Sequence, residues 1–232
     1  MAIAELGTAV SAQSTAAANT ISVSHTLGSG TNRLAVVVVT TYRNGGDPNI
    51  TGITYGGVAM TELVDKIQTV SSDRFHAAIW YLKNADMPSD GSKTVTATYD
   101  ESNTKEMQVA VQTFSGVDQT TPFTDSDSTG SSSSVSASLT LTTVSGDMAI
   151  DCLNTYTGTR TIGADQTLVK SQVDAGSTTD LHFSKETATG TSTTMSWTFT
   201  GQENAYVAGN MLQATGGGAA AVPQMAMIGV GT

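Results

Sequence analysis

Apolar and polar residues alternate along much of this chain with the two-residue period of a half-buried strand, and no segment carries the 3.6-residue period of a helix. Met107, Val109 and Val111 alternate with Glu106, Gln108 and Gln112. Met195, Trp197 and Phe199 alternate with Ser196, Thr198 and Thr200, which puts three large side chains on one side of a strand. A different pattern occupies Arg33 to Tyr42, where Val36-Val37-Val38-Val39 is too short and too β-branched for a helix and predicts a fully buried strand. Asn44-Gly45-Gly46-Asp47-Pro48 breaks it. Ile53-Thr54-Tyr55 and Val58-Ala59-Met60 flank Gly56-Gly57, a two-residue loop of the kind hairpins favour because glycine accepts positive φ cheaply. Further strands are predicted at 20–25, 62–70, 74–82, 94–99, 105–114, 135–141, 147–156, 166–173, 179–185, 193–200 and 205–213.

Between these strands, residues 7–19 are Ala, Ser and Thr without a clear period, and 124–134 reads as a Ser-rich linker. The expected organisation is an N-terminal arm over 1–19, a β-sandwich over 20–214, and a Gly/Ala-rich linker with an apolar C-terminal tail over 215–232. The two halves share a layout: Asn32 to Tyr42 aligns with Gly146 to Tyr156, and each is followed by a Leu-Val strand, Leu63-Val64 or Leu168-Val169. Two pseudo-equivalent sets of strands pack most simply as the two layers of a single all-β sandwich of jelly-roll or Greek-key type.

Composition narrows the function. Ser and Thr exceed a quarter of the chain, beside 23 Gly, three His and one Cys, so residues that perform chemistry are scarce. Ten basic against twenty acidic residues give a formal charge of −10, which repels nucleic acid and anionic membrane. The start, Met1 to Gly7, lacks a basic and apolar leader, and no stretch reaches the length of a spanning helix, so synthesis in a cytoplasm without a secretory signal is expected. Cys152 lies in an apolar run and reads as a small buried hydrophobe.

Candidate chemistry is thin. His25, His76 and His182 fall on three different strands, without the close spacing of metal ligands. No Gly-x-Ser-x-Gly elbow marks a nucleophile. Glu101 and Glu106 flank a turn and suggest a glycosidase pair only if a cleft holds them some 5 to 9 Å apart. Asp125-Ser126-Asp127-Ser128-Thr129-Gly130 echoes a calcium loop, with Asp125 and Asp127 as ligands, but Ser136 stands where a bidentate Glu is needed. No cofactor is expected. Tyr42, Tyr55, Trp80, Tyr81, Tyr99, Tyr156 and Trp197 offer either core or a glycan-stacking face. In the tail, Met225, Met227, Ile228 and Val230 form a short apolar end that needs a partner to be buried.

Asn32 to Val39, Ile53 to Thr61, Ala78 to Leu82, and Phe114-Ser115-Gly116-Val117-Asp118-Gln119-Thr120-Thr121-Pro122-Phe123 together resemble a β-sandwich module of bacteriophage and environmental bacterial proteins. The resemblance implies a jelly-roll-like fold with a virion-surface or extracellular binding role, and it carries no catalytic residues. The expected function is that of a non-enzymatic virion structural protein, most simply a capsid decoration or accessory protein. Its partners would be copies of itself and major capsid or tail proteins. The alternative is a carbohydrate-binding or adhesin module.

Overall fold

A computed structural model describes residues 1–15, 18–45, 49–100, 106–173, 177–200 and 203–215. Its first half contains β1 (Ala4–Ser14), β2 (Thr20–Leu27), β3 (Leu34–Asn44), β4 (Ile50–Tyr55), β5 (Val58–Ala59), β6 (Thr61–Val70), β7 (Asp73–Lys83), β8 (Gly91–Tyr99) and β9 (Glu106–Ser115). The second half contains β10 (Phe123–Ser131), β11 (Ser136–Thr142), β12 (Met148–Tyr156), β13 (Arg160–Ile162), β14 (Thr167–Gln172), β15 (Thr179–Thr187), β16 (Ser192–Phe199) and β17 (Asn204–Met211). One 3-10 turn, Asn84–Asp86, follows β7, and no α-helix occurs among the described residues.

Four antiparallel sheets result. The first half forms an inner sheet of order β1-β9-β3-β7-β6 and an outer sheet of order β2-β8-β4-β5. The second half forms an inner sheet of order β10-β17-β12-β15-β14 and an outer sheet of order β11-β16-β13. Each inner sheet packs on its own outer sheet as a β-sandwich, and the two inner sheets also pack on each other. The single sandwich expected from the sequence is therefore two, stacked in four layers.

The reason lies in the unbroken apolar runs. A strand covered on one face alternates; a strand covered on both does not. In β3, Leu34, Val36 and Val38 enter a central core with Met148, Ile150, Cys152, Phe183 and Val207 of the opposite inner sheet. The intervening Ala35, Val37 and Val39 face the outer sheet, among Ile53, Tyr55, Val95 and Ala97. In β12, likewise, Ala149 and Leu153 point to a third core with Leu139, Leu141, Met195 and Trp197. The outer strands keep the alternation: Ile21, His25 and Leu27 are buried while Thr20, Ser22, Ser24 and Thr26 face outward or nearly so. Outward hydroxyls pair across strands, as in Ser22–Thr96 at 2.8 Å and Thr140–Thr194 at 2.9 Å.

The sandwiches repeat one another in detail. Tyr99 N–H donates to the Asn19 carbonyl at 2.8 Å, and Phe199 N–H donates to the Val135 carbonyl at 2.9 Å. Asp100 N–H reaches the Asn49 carbonyl at 3.1 Å as Thr200 N–H reaches that of Thr159 at 3.1 Å. The contact order across the centre sets β1 against β14, β3 against β12 and β6 against β10, the arrangement of a pseudo-two-fold axis between β3 and β12.

Two segments read as irregular are edge strands. The expected arm contains β1, paired with β9 and bulged between Leu6 and Val10 beside Gly7 at φ 74°. The expected linker contains β10, paired with β17. Both are rich in small residues, Ala, Gly, Ser and Thr, held largely by backbone bonds, so neither shows a clear hydrophobic period. The Gly56-Gly57 hairpin is present, with both glycines at positive φ, 58° and 85°.

Candidate functional site

The residues singled out for chemistry are dispersed. His25, His76 and His182 sit on β2, β7 and β15, in three different sheets. Asp125 and Asp127 lie along the extended strand β10, where Asp125 accepts a bond from Thr142 N–H at 2.6 Å and Asp127 one from Ser128 N–H at 2.8 Å. An extended strand does not curl its carboxylates around a cation, and no group of three metal-binding side chains occurs among the described residues. Glu101 lies outside the described residues, as do Met225, Met227, Ile228 and Val230. Glu106 is buried and accepts bonds from Thr178 N–H, from Thr179 N–H at 2.8 Å and from the Thr179 hydroxyl at 3.0 Å. It ties one inner sheet to the other.

The aromatic residues are also committed. Trp80 and Trp197 are 7 % and 3 % exposed, and Tyr42, Tyr55 and Tyr99 are buried. The half-buried Tyr81 and Tyr156 pack on Phe123 and Phe75 at centroid distances of 5.2 and 4.9 Å. None of the seven presents a free face for a sugar.

The densest polar constellation lies inside the second sandwich and was not singled out from the sequence. Asp151 is fully buried on β12. It accepts bonds from Ser184 N–H at 2.9 Å, the Ser184 hydroxyl at 2.7 Å, Trp197 Nε1 at 2.8 Å, the Tyr206 hydroxyl at 2.8 Å and Gln166 Nε2 at 3.2 Å. Burial pushes its carboxyl above the usual range, while the Ser184, Tyr206 and Trp197 bonds pull it back. Strand pairing shows what stands at this place in the first sandwich. Asp151 opposes Ser184 as Val37 opposes Trp80. An indole from the inner sheet fills one sandwich, and an indole from the outer sheet, anchored on a carboxylate, fills the other.

Beside this cluster, the His182 Nδ1 pairs with the Ser171 hydroxyl at 2.7 Å, and its ring tilts against Trp197 at 5.3 Å. Burial first, then the Arg160 charge, push the imidazole down to about 3. Arg160, itself lowered by burial, reaches the buried Asp180 at 2.5 Å. Ser, His and Asp thus meet in one interlayer space without the order of a triad. That order needs the second imidazole nitrogen on a carboxylate, and here Asp180 is paired with arginine. A pKa near 3 also makes a poor general base at neutral pH.

Across the centre, further polar side chains act as struts. Asn154 Nδ2 donates to the carbonyls of Thr41 and His76 at 2.8 and 3.0 Å. The Tyr156 hydroxyl donates to Asp73 at 2.9 Å, and Lys185 pairs with Glu5 at 2.8 Å. The sequence did carry a signal for Asp151, a charge in the middle of the apolar run Met148 to Leu153. A charge so placed is kept only when its hydrogen bonds are satisfied. Comparison with family models, with curated proteins and with solved structures found no match to this chain.

Proposed function

We propose that this chain is a non-enzymatic structural protein of a bacteriophage virion, a capsid decoration or accessory protein attached through its terminal segments. One observation carries the reading. Buried groups with chemical capacity are spent inside a four-layered block: Asp151, Glu106 and Arg160 with Asp180 join one layer to another, and His182 is held by Ser171 of its own sheet and against Trp197 of the outer one. Such an arrangement supplies shape and stiffness. In the first sandwich the pairs β1–β9, β2–β8, β3–β7 and β4–β5 nest as a hairpin rolled on itself, which supports a jelly-roll topology. In the second, β10–β17, β11–β16 and β12–β15 nest in the same order.

The resemblance over Asn32 to Phe123 supports the virion setting. Burial of Trp80 and Trp197 favours this reading over a glycan-stacking module. On this account Met225, Met227, Ile228 and Val230 anchor the protein, and repetition on a lattice multiplies weak contacts into firm attachment. The test mixes the purified chain with capsids that lack it and follows sedimentation. Saturable coating of the particles is expected. A chain that stays in the supernatant at every concentration overturns the proposal.

A further inference from the structure

The matched corners of the two sandwiches differ in one respect. In the first, Asn19, Asn49 and Asp100 close the corner with polar groups, Asn49 Nδ2 donating to Asp100 Oδ2 at 3.1 Å. In the second, the same backbone bonds are kept and the Thr200 hydroxyl accepts from Thr159 N–H at 3.1 Å, but Val135 and Thr159 stand in the places of Asn19 and Asn49. There the outer sheet carries an open groove of about 370 Å³, lined by Val135, Ser136, Thr159, Thr161, Thr198 and Phe199 together with Thr200. Val135 is 55 % exposed at its wall. The rest of the lining is mainly apolar although most of its residues are threonines, and Phe199 is buried beneath it.

We infer that this groove receives the segment Met225 to Val230 of a second copy of the chain, joining copies head to tail. The inference rests on the structural reading above and names its partner. Three observations support the occupant. The segment is apolar, uncharged and rich in methionine, which adapts to irregular gaps. The described chain leaves the second sandwich where β17 ends, with Ala214 N–H on the Gly116 carbonyl at 2.8 Å and the Met1 amine on the Ala214 carbonyl at 2.8 Å. The groove lies at the other end, beside the start of β17.

Length then favours a neighbour's groove over the chain's own. The eight residues of β17 span roughly 27 Å at about 3.4 Å each, and the groove lies a further layer, about 10 Å, to the side. Nine residues separate Thr215 from Met225. A Gly-rich connector of that length has a root-mean-square span of roughly 17 Å and reaches about 33 Å only when fully extended. A segment on a connector of that span therefore fits more readily into the opposite end of the next molecule. Contacts of this kind are heterologous, so they propagate as a chain or close as a ring.

The test uses two charge-neutral full-length variants: Val135→Glu/Thr161→Lys in the groove, where both side chains are exposed, and Met225→Glu/Ile228→Lys in the tail. Sedimentation equilibrium of the unaltered protein should show concentration-dependent association, and either variant alone should weaken it about tenfold or more, because a charge must be buried. Mixed together, the tail-altered chain supplies a groove and the groove-altered chain a tail, so one-to-one pairs should form and stop there. Association of the groove variant equal to that of the unaltered protein, or an unaltered protein that remains monomeric at millimolar concentration, overturns the inference. Capsid coating is measured on the same samples. Coating without self-association sinks the groove and leaves the virion reading standing, whereas self-association without coating does the reverse.

Discussion

Replacing Asp151 with valine, the residue that position 37 supplies at the matching place in the first sandwich, should destabilise the protein although it makes the two cores more alike. The substitution leaves Trp197 Nε1–H and the Tyr206 and Ser184 hydroxyls without their acceptor in an interior closed to water. Each orphaned buried donor costs roughly 1 to 3 kcal/mol. Relief of the buried carboxylate, whose pKa burial has raised, offsets part of that sum. A net loss of about 3 kcal/mol is expected, a large share of the 5 to 15 kcal/mol typical of a folded protein. In urea the midpoint should fall by roughly 1 to 2 M with an unchanged slope. Adding Tyr206→Phe and Ser184→Ala removes donors along with the lost acceptor and should restore stability by more than the sum of the separate effects. A single Asp151→Val variant within about 0.5 kcal/mol of the parent, the range of an inert surface change, refutes the strut reasoning.

Three other outcomes follow from the same interior. His182, held near pKa 3 when folded against about 6.5 in the unfolded chain, makes unfolding take up a proton between these values, so its contribution is intact above about pH 6.5 and stability falls as pH drops, by roughly 2 kcal/mol at pH 5; urea titrations at several pH values should show that slope reduced in His182→Phe, and an unchanged slope contradicts the assignment. Arg160→Met takes the cation from the buried Asp180 and should cost about 3 to 5 kcal/mol, while Arg160→Met/Asp180→Leu should recover most of it; equal losses in the single and double variants on thermal melting argue against the pair. Trp80→Ala and Trp197→Ala should each cost about 3 to 5 kcal/mol in urea unfolding, and a variant that folds normally but loses glycan binding favours a stacking face instead.

The strands themselves were readable because their side chains alternate, as at Met195, Trp197 and Phe199, or run unbroken, as at Val36 to Val39. The repeat was also visible, in the match of Asn32–Tyr42 to Gly146–Tyr156, and β3 and β12 do occupy the same place in their sheets. The sequence pattern alone does not show the consequence of two fully buried strands. Each requires cover on both faces, and two such strands at the centres of two sheets are most simply covered by one another. The edge strands β1 and β10 are hard to read because their apolar contacts are few, Val10 and Ala12 in one and Phe123 in the other, and backbone pairing with β9 and β17 supplies the rest. The interior polar network escaped for a different reason. Asp151, Ser184, Trp197 and Tyr206 are separated by up to 55 residues and are joined only by strand pairing within the inner sheet and, for Trp197, by the outer sheet stacked on it. The corner groove depends on comparing Asn19 with Val135 and Asp100 with Thr200, positions whose equivalence rests on strand register and not on sequence likeness.

The most direct test of the central claim is quantitative mass spectrometry of purified virions from the phage expected to carry this chain, with the major capsid protein as internal standard. The account predicts the chain in the particles at a copy number comparable to that of the major capsid protein, and its release when Met225 and Ile228 are replaced by charged residues. Purified virions that contain none of it contradict the claim.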